Sequence, residues 1–420
     1  MKIKICGITK KEEISYVNES GVNYVGFVFY PKSKRFVTFE EASKLKKNLK
    51  NDIKTVAVTV DPNDEQIKNI DYLFLTHCHA DHAGAVMWLY ERGFRGIVIA
   101  SRFTLDIMSG PVRECRVLEE LGERGTKIPL EHGLSVTWGR SGHCFGSVWL
   151  LFSAEGKKIL FSGDYVEKST AYKCDRIRDV AADLAVIDTA YGTKGGTCRE
   201  NLRAFRKYAA DEYAAGRTDF YPVPSHGRGL DVIRVLIETG CEVYADEYLI
   251  QELRDTENRK SWLRKGMIRA SESEHLHPLM QFPIGYACVL RARQRWQQGS
   301  GNYLKVKEYS EKSIVPGSAI VVPDTQIAKE WNRDTALHIY DAGGRVVLTG
   351  KQIPGGCASR FLAAGKADFL RISVHQTADE LLTLRRKNRF TRIVPFHSAE
   401  QMSFAEKNIF VMRPMETIEF

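Results

Sequence analysis

The sequence predicts a mixed α/β protein with more than one domain, and three observations support this. Strand-like apolar runs alternate with polar helical stretches over the first 60 residues, and a histidine-rich motif directly follows an apolar run near residue 75. Strand and helix patterns then continue to residue 420 without repeats or low-complexity tracts. A chain of 420 residues is longer than most single domains, so we expect two or three.

The composition is typical of a globular protein. Hydrophobic residues make up 43% and charged residues 27% of the chain, and no apolar run approaches the roughly 18 residues of a membrane-spanning helix. The N-terminus has no long apolar stretch and no small-residue cleavage site, so we expect no secretion signal and a cytoplasmic protein. The formal net charge of +9 favours a polyanionic partner such as a nucleic acid.

Cysteine usage argues against both a disulfide framework and a cysteine zinc site. The chain has nine cysteines, an odd number, and no Cys-x-x-Cys pair. We expect most of them to be buried thiols. They lie at positions 6, 78, 115, 144, 174, 198, 241, 288 and 357.

The N-terminal segment, residues 1–69, follows a β-α-β-α-β pattern. Its motifs Lys4-Ile-Cys-Gly-Ile-Thr9 and Gly26-Phe-Val-Phe-Tyr-Pro-Lys-Ser-Lys-Arg35 resemble the opening of phosphoribosylanthranilate isomerase, a (β/α)8 barrel. By that resemblance Cys6 matches the general base of the isomerase, and the alternative is a buried thiol at a strand end. The resemblance covers roughly a third of a barrel, so we predict a partial barrel-like segment.

A run of metal-ligand residues, His77-Cys-His79-Ala-Asp81-His82, comes directly after the predicted strand at residues 70–76. Alternate side chains point to the same side, so His77 and His79 can bind one metal. Asp81 and His82 lie on the turn into the next helix and can bind a second metal nearby. The motif therefore predicts a two-metal hydrolase.

Two further strand ends offer ligands in the order that such a site needs. Ser141-Gly-His143 precedes an apolar strand, and Phe161-Ser-Gly-Asp164 closes another. Together with the histidine run these motifs resemble the metallo-β-lactamase superfamily. The resemblance implies that His143 completes the first metal and that Asp164 bridges both. Asp61 is either a residue that supports the metal ligands or a turn residue before Pro62.

The C-terminal part resembles the β-CASP nucleases, a branch of the metallo-β-lactamase fold. The resemblance spans about 350 residues and rests on four segments, which are Val186-Ile-Asp188-Thr-Ala-Tyr-Gly192, Leu348-Thr-Gly-Lys-Gln-Ile-Pro-Gly-Gly356, Ile372-Ser-Val-His375-Gln and Arg392-Ile-Val-Pro-Phe-His397-Ser. It implies that His397 is the remaining ligand of the second metal. His375 would protonate the leaving oxygen or hold the scissile phosphate, and Asp188 would orient His82 or its neighbour.

These resemblances imply a metallo-β-lactamase αββα sandwich with an inserted β-CASP α/β domain, preceded by the partial barrel-like segment. The implied parts are residues 1–69, 70–199, 200–365 and 366–420. The inserted domain would close over the metals, and its basic residues could line a channel for a phosphate backbone. These are Arg203, Arg206, Lys207, Arg228, Arg291, Arg293 and Arg295. His226 is either a residue that contacts the substrate or a loop residue without a role in binding. His275 and His277 are expected on the surface.

Two Zn²⁺ ions are the expected cofactors, because imidazole with carboxylate suits zinc, and Mn²⁺ or Fe²⁺ are the alternatives. RNA is the expected substrate, because RNA-cutting β-CASP members tend to carry a histidine at the position of His397. Single-stranded DNA is the alternative substrate, since Asp188-Thr is less typical of the RNA enzymes than Glu-Ser. The competing hypotheses are a DNA nuclease, a phosphoribosylanthranilate isomerase and a non-catalytic fusion.

Overall fold

The mixed α/β fold predicted from the sequence is confirmed by a computed structural model, which divides into two compact units. The structure describes residues 4–6, 8–20, 22, 24–28, 35, 37–51, 53–58, 64–108, 110, 112–192, 196–254, 260–271, 275–279, 317–397 and 409. Within these residues no helix is both long enough and apolar enough to cross a membrane.

The first unit comprises the described residues within 1–73 and 85–98. Its three strands are parallel in the order β1-β2-β3 and agree with the predicted β-α-β-α-β pattern. Val25 and Phe27 from β2 pack against apolar residues of the first two helices, among them Ile14 and Val17 of the first. Its elements are β1 (Lys4–Cys6), α1 (Lys11–Glu19), β2 (Tyr24–Val28), α2 (Phe39–Lys46), β3 (Lys54–Val58), α3 (Asp64–Lys68) and α5 (Val86–Glu91).

A sheet of three short strands in the order β4-β5-β6 follows in the chain. The histidine run begins three residues after the first of these strands ends at Phe74 and leads into a helix of one turn, as the motif predicted. The elements of this region are β4 (Tyr72–Phe74), α4 (Ala80–Ala83), β5 (Ile97–Ala100), α6 (Arg102–Ile107), β6 (Cys115–Val117) and α7 (Leu118–Leu121).

The second unit contains a mixed six-stranded sheet in the order β18-β11-β10-β9-β8-β7. Strands β10, β11 and β18 are parallel, whereas β7, β8, β9 and β10 pair antiparallel in succession. On one face of this sheet Trp149, Leu160 and Ile187 pack against Leu381 and Leu384 of the helix Ala378–Arg386. The elements are β7 (Ile128–Pro129), β8 (Ser135–Arg140), β9 (Val148–Ala154), β10 (Lys157–Phe161), β11 (Ala181–Asp188), α14 (Ala378–Arg386) and β18 (Arg389–Phe396).

The second unit also contains a parallel six-stranded sheet, in the order β14-β13-β15-β12-β16-β17. Its strands are nearly continuous apolar runs, as expected for a parallel sheet covered by helices, and Phe220, Ile320 and Val346 are fully buried. The elements are α8 (Cys198–Ala214), β12 (Asp219–Val223), α9 (Arg228–Glu238), β13 (Glu242–Asp246), α10 (Glu247–Arg254), α11 (Lys265–Ser271), β14 (Leu276–Leu279), β15 (Ser318–Pro323), α12 (Glu330–Asp341), β16 (Arg345–Leu348), α13 (Cys357–Ala363) and β17 (Ala367–Phe369).

The pairing of the mixed sheet brings four strand ends to one edge. Strands β8, β10, β11 and β18 all run in the same direction, because β8 and β10 each pair antiparallel with β9. Their carboxyl ends are Arg140, Phe161, Asp188 and Phe396. Sequence motifs that are far apart in the chain therefore deliver their polar residues to the same place.

The cysteines follow the prediction only in part. None of the seven cysteines that the structure describes forms a disulfide, but only Cys144, Cys198 and Cys241 among them are buried. Cys115 is exposed, so the expectation that most are buried thiols was wrong for the described set. The side chain of Cys6 and all of Cys288 lie outside what the structure describes.

Candidate metal centre

Two glycines let the strand ends approach the histidine run. Gly163 has φ 54°, and a Cβ on it would lie 2.7 Å from the Val148 carbonyl oxygen and 3.0 Å from Cβ of Thr76. Gly142 has φ 83°, and a Cβ there would clash with the Val166 carbonyl oxygen. A side chain at either position would force the backbone apart. Each glycine directly precedes a predicted ligand, so both turns serve to place the site.

The first cluster joins three imidazoles and one carboxylate. Nδ1 of His79 lies 3.0 Å from Nε2 of His77 and 3.2 Å from Nε2 of His143. Oδ2 of Asp164 lies 3.5 Å from Nε2 of His77 and 3.3 Å from Nε2 of His143. Four possible ligand atoms thus lie within 4.8 Å of one another. The structure brings together all four residues that the sequence assigned to the first metal.

The second cluster lies on the other oxygen of the same carboxylate. Oδ1 of Asp164 is 3.2 Å from Nε2 of His82 and 3.2 Å from Nδ1 of His397. Nε2 of His397 is 3.3 Å from Oδ2 of Asp81, so these residues enclose a second small space. His397 has φ 72°, which is uncommon for a residue with a side chain and frequent at functional sites. The residues predicted for the second metal therefore also lie together.

Hydrogen bonds fix the outer nitrogens of the rings. Oγ1 of Thr76 lies 3.2 Å from Nδ1 of His77 and 3.1 Å from Nδ1 of His82, so one hydroxyl can hold both rings with Nε2 towards Asp164. Nδ1 of His143 lies 2.7 Å from the Val374 carbonyl oxygen. Sequence reasoning missed Thr76, although its position directly before His77 was the available signal.

The contacts of Asp188 differ from the prediction. The sequence interpretation had it orient His82 or its neighbour, but its Oδ2 lies 2.9 Å from Nδ1 of His375 and accepts from the Tyr165 amide at 3.0 Å. Its Oδ1 lies 3.6 Å from Nδ1 of His397. The reason is topological: Asp188 ends β11 and is in register with Phe396 of β18, so the residue after Phe396 comes close to it. Asp188 therefore supports His375 and His397.

Burial and charge divide the histidines into two groups. Burial lowers the pKa of His143 to about 3, and it also lowers the pKa of His77 and His79. These rings are neutral near pH 7, which is the form that binds a metal. Contacts with the Asp164 and Asp188 carboxylates raise the pKa of His397 to about 11, so a cation that binds there displaces a proton.

Asp164 is a buried charge between the two clusters. Its side chain is 3% exposed. Burial opposes its ionisation, but the surrounding histidines, His143 first among them, hold its pKa below the usual range. Oδ1 is buried and has no contact with hydrogen-bond geometry, although two ring nitrogens lie 3.2 Å away. A buried carboxylate oxygen between two imidazole nitrogens can serve as a ligand of a cation.

The donor set fits divalent cations. Imidazole nitrogen and carboxylate oxygen are ligands of zinc, and ligands about 2.0–2.1 Å from a tetrahedral ion are separated by about 3.3 Å. Four separations within the first cluster are 3.0 to 3.5 Å, and all of its ligand atoms lie within 4.8 Å of one another. The residues present therefore match the spacing that such a group requires, and the cluster can hold metal ions.

The other predicted residues have mixed outcomes. Arg206 pairs with Glu238 and Lys207 pairs with Asp211, as solvated helix residues do. Nδ1 of His226 lies close to Glu252, while its carbonyl oxygen lies 3.4 Å from Nε2 of His79. The ring of His275 is 2.9 Å from Glu242. Asp61, Arg291, Arg293, Arg295 and the side chain of His277 lie outside the described residues.

Comparison with known proteins finds two families in succession. Residues 61–216 match the sequence model of the metallo-beta-lactamase superfamily, and residues 3–74 match that of N-(5′-phosphoribosyl)anthranilate isomerase. The chain is 28% identical over 190 residues to Ribonuclease TTHA0252 of Thermus thermophilus, a match that covers 41% of this chain and 44% of that protein. The chain thus spans less than half the length of that ribonuclease.

Two isomerases match the chain to different extents. The isomerase of Sulfurihydrogenibium sp. is 45% identical over 67 residues, which cover 16% of this chain and 32% of that protein. The isomerase of Thermotoga petrophila is 41% identical over 210 residues, which cover 50% of this chain and 98% of that protein. The isomerase family model nevertheless ends at residue 74, and the described strands from Tyr72 onward belong to other sheets.

Proposed function

Because the chain belongs to the phosphoribosylanthranilate isomerase family through residues 3–74 and to the metallo-β-lactamase superfamily through residues 61–216, we propose a function for the second region. We propose that this region is a metal-dependent ribonuclease that hydrolyses phosphodiester bonds of single-stranded RNA. Two divalent cations, preferably Zn²⁺, are its cofactors. RNA as the substrate is suggested by the ribonuclease of Thermus thermophilus, to which this chain is similar.

The position of Asp164 is the observation that carries this proposal. Its Oδ2 faces the first cluster, and its Oδ1 faces the second. A carboxylate in that position can hold two cations a few ångströms apart, which is the arrangement of two-metal phosphodiesterases. In such a centre the bound cations activate water and stabilise the charge that develops on the phosphate oxygens.

We assign the ligand roles residue by residue. His77, His79 and His143 hold the first cation, and Asp81, His82 and His397 hold the second, with Asp164 shared between them. Thr76 keeps the rings of His77 and His82 in the orientation that directs their Nε2 atoms inward. The Val374 carbonyl does the same for His143.

His375 is the residue that we assign to proton transfer. Its Nδ1 is held by Asp188 at 2.9 Å, and among the described residues its Nε2 has no hydrogen-bond partner. A carboxylate on one ring nitrogen fixes the orientation of the ring, so Nε2 is the atom that we assign to proton donation to the leaving 3′ oxygen.

The test is cleavage of a 5′-labelled single-stranded oligoribonucleotide by the purified chain supplied with Zn²⁺, followed on a denaturing gel. We expect cleavage by the wild type and none by His79→Ala, because His79 holds the first cation. His275→Ala, which changes a half-exposed histidine of the parallel sheet region, is the matched control and should cleave normally. Equal cleavage by the His79→Ala variant would refute the site assignment.

Isomerase activity is not part of this proposal. The isomerase reaction belongs to a closed barrel of eight strands, in which the chemistry lies at the carboxyl ends of several strands. Among the described residues only three parallel strands form the isomerase-like sheet, and each pairs within that sheet. Within the part of the chain that the structure describes, no contact at those three strand ends favours the isomerase as a second function.

A further inference from the structure

An aromatic and cationic stack lies beside His375. Cζ of Arg371 is 4.6 Å from the ring centroid of Tyr191 and 5.8 Å from the ring centroid of Phe369. The ring of Tyr191 in turn lies edge-on to the ring of His375, with 5.4 Å between centroids. Phe369, Arg371 and Tyr191, which we call the base stack, therefore continue outward from the residue that we assign to proton transfer.

The base stack is held in place from both ends. The Val374 amide donates a hydrogen bond of 3.1 Å to the Tyr191 hydroxyl, and the carbonyl of the same Val374 supports His143. Phe369 ends strand β17 and is in register with Leu348 of β16, and the Leu370 amide donates to the Leu348 carbonyl at 2.9 Å. A ring and a guanidinium that are fixed before a ligand arrives lose little conformational freedom when it binds.

The charge of Arg371 has no counter-ion in the part of the chain that the structure describes. It has no ion pair and no hydrogen bond there, and its described contacts are with the two rings. Other arginines of the same unit behave differently, since Arg206 and Arg234 both pair with Glu238. The ring of Phe369 is 40% exposed. An unpaired planar cation beside an exposed aromatic ring can bind an anion with a flat, aromatic part.

We propose that the base stack is a nucleobase-binding subsite, which stacks a base of single-stranded RNA close to the scissile phosphate. This inference rests on the proposed ribonuclease function. A nucleotide joins an aromatic plane to a negative phosphate, and the base stack joins an exposed ring and a guanidinium plane to a positive charge. Such a platform accepts every base, because every base has a π face. It therefore selects unpaired strands without strong preference for their sequence.

The proposal is tested with the metal-loaded, full-length protein and a phosphorothioate-linked oligoribonucleotide, which resists hydrolysis. A single 2-aminopurine, whose fluorescence falls when it stacks, is moved one nucleotide at a time along the strand. We expect one position to lose fluorescence on binding. Phe369→Ala should abolish that loss and weaken binding about tenfold, as expected for one stacked base.

Two arginine variants separate stacking from charge. Arg371→Lys keeps the charge but not the plane, so it should lose the fluorescence change and keep the dependence of affinity on salt. Arg371→Ala should lose both. Phe369→Trp keeps an aromatic ring at this position and should keep the fluorescence change. Far-UV circular dichroism establishes that Phe369→Ala is folded. Tyr16→Ala removes an aromatic ring that is 72% exposed in the first unit and should have no effect.

The outcomes distinguish the subsite from the nuclease. The subsite is overturned if wild type does not bind the oligonucleotide, if no position loses fluorescence, or if Phe369→Ala behaves like wild type. If the fluorescence and affinity results are as expected but unmodified RNA is not cleaved, the ribonuclease proposal fails and the RNA-binding subsite stands.

Discussion

Asp164→Asn is expected to lower RNA cleavage at least about a thousandfold and to reduce the metal content below two ions per chain. The residue is 2% exposed, and its two oxygens face different clusters of histidines. An amide supplies one oxygen and no charge, so it cannot serve both clusters. Loss of metal-ion charge stabilisation costs several kcal/mol in the transition state, and each 1.36 kcal/mol is about tenfold in rate.

The matched control is Asp211→Asn, which changes a surface carboxylate on α8 that pairs with Lys207. It should leave cleavage and metal content unchanged. Far-UV circular dichroism establishes that both variants keep their secondary structure. An Asp164→Asn variant that retains two metals and full activity would contradict the bridging role.

His375→Ala is expected to reduce RNA cleavage by about 10²- to 10⁴-fold, the usual contribution of a general acid, while leaving the metal content unchanged. Nδ1 of His375 faces Asp188, and His375 is not one of the seven ligands that we assign to the two cations. A substrate whose leaving group needs no proton should bypass the defect. Cleavage of bis(p-nitrophenyl) phosphate by the variant should therefore remain close to that of wild type.

The comparison of the two substrates separates a chemical role from a structural one. If the variant loses both activities equally, His375 positions the site and does not donate the proton. His338→Ala, which changes an exposed histidine on α12, is the control and should cleave both substrates like wild type.

The residues of the two clusters could be predicted to lie together because each follows a strand closely, in a recognisable local motif. His77 follows the predicted apolar strand directly, whereas His143 and Asp164 follow their strands after short glycine-containing turns. These signals lie within a few residues of each predicted ligand. The partners of Asp188 could not be predicted in the same way. They depend on the pairing of β11 with β18, which are separated by the whole parallel sheet region.

The fold shows the same division between local and non-local information. Alternation of apolar runs and helical stretches predicted the three strands of the first unit, because each strand and helix is encoded in its own segment. The base stack was not predicted, since Tyr191 and Arg371 meet only when the loop after β11 lies against the segment after β17. The burial of cysteines also depends on tertiary packing, and the composition alone overestimated it.

The number of metal ions in the purified chain tests the central claim most directly. The protein is expressed with zinc in the medium, dialysed against metal-free buffer near pH 7, and analysed by inductively coupled plasma mass spectrometry. The geometry around Asp164 predicts two transition-metal ions per chain. Fewer than one ion per chain, in a protein whose circular dichroism shows an intact fold, would contradict the two-metal centre.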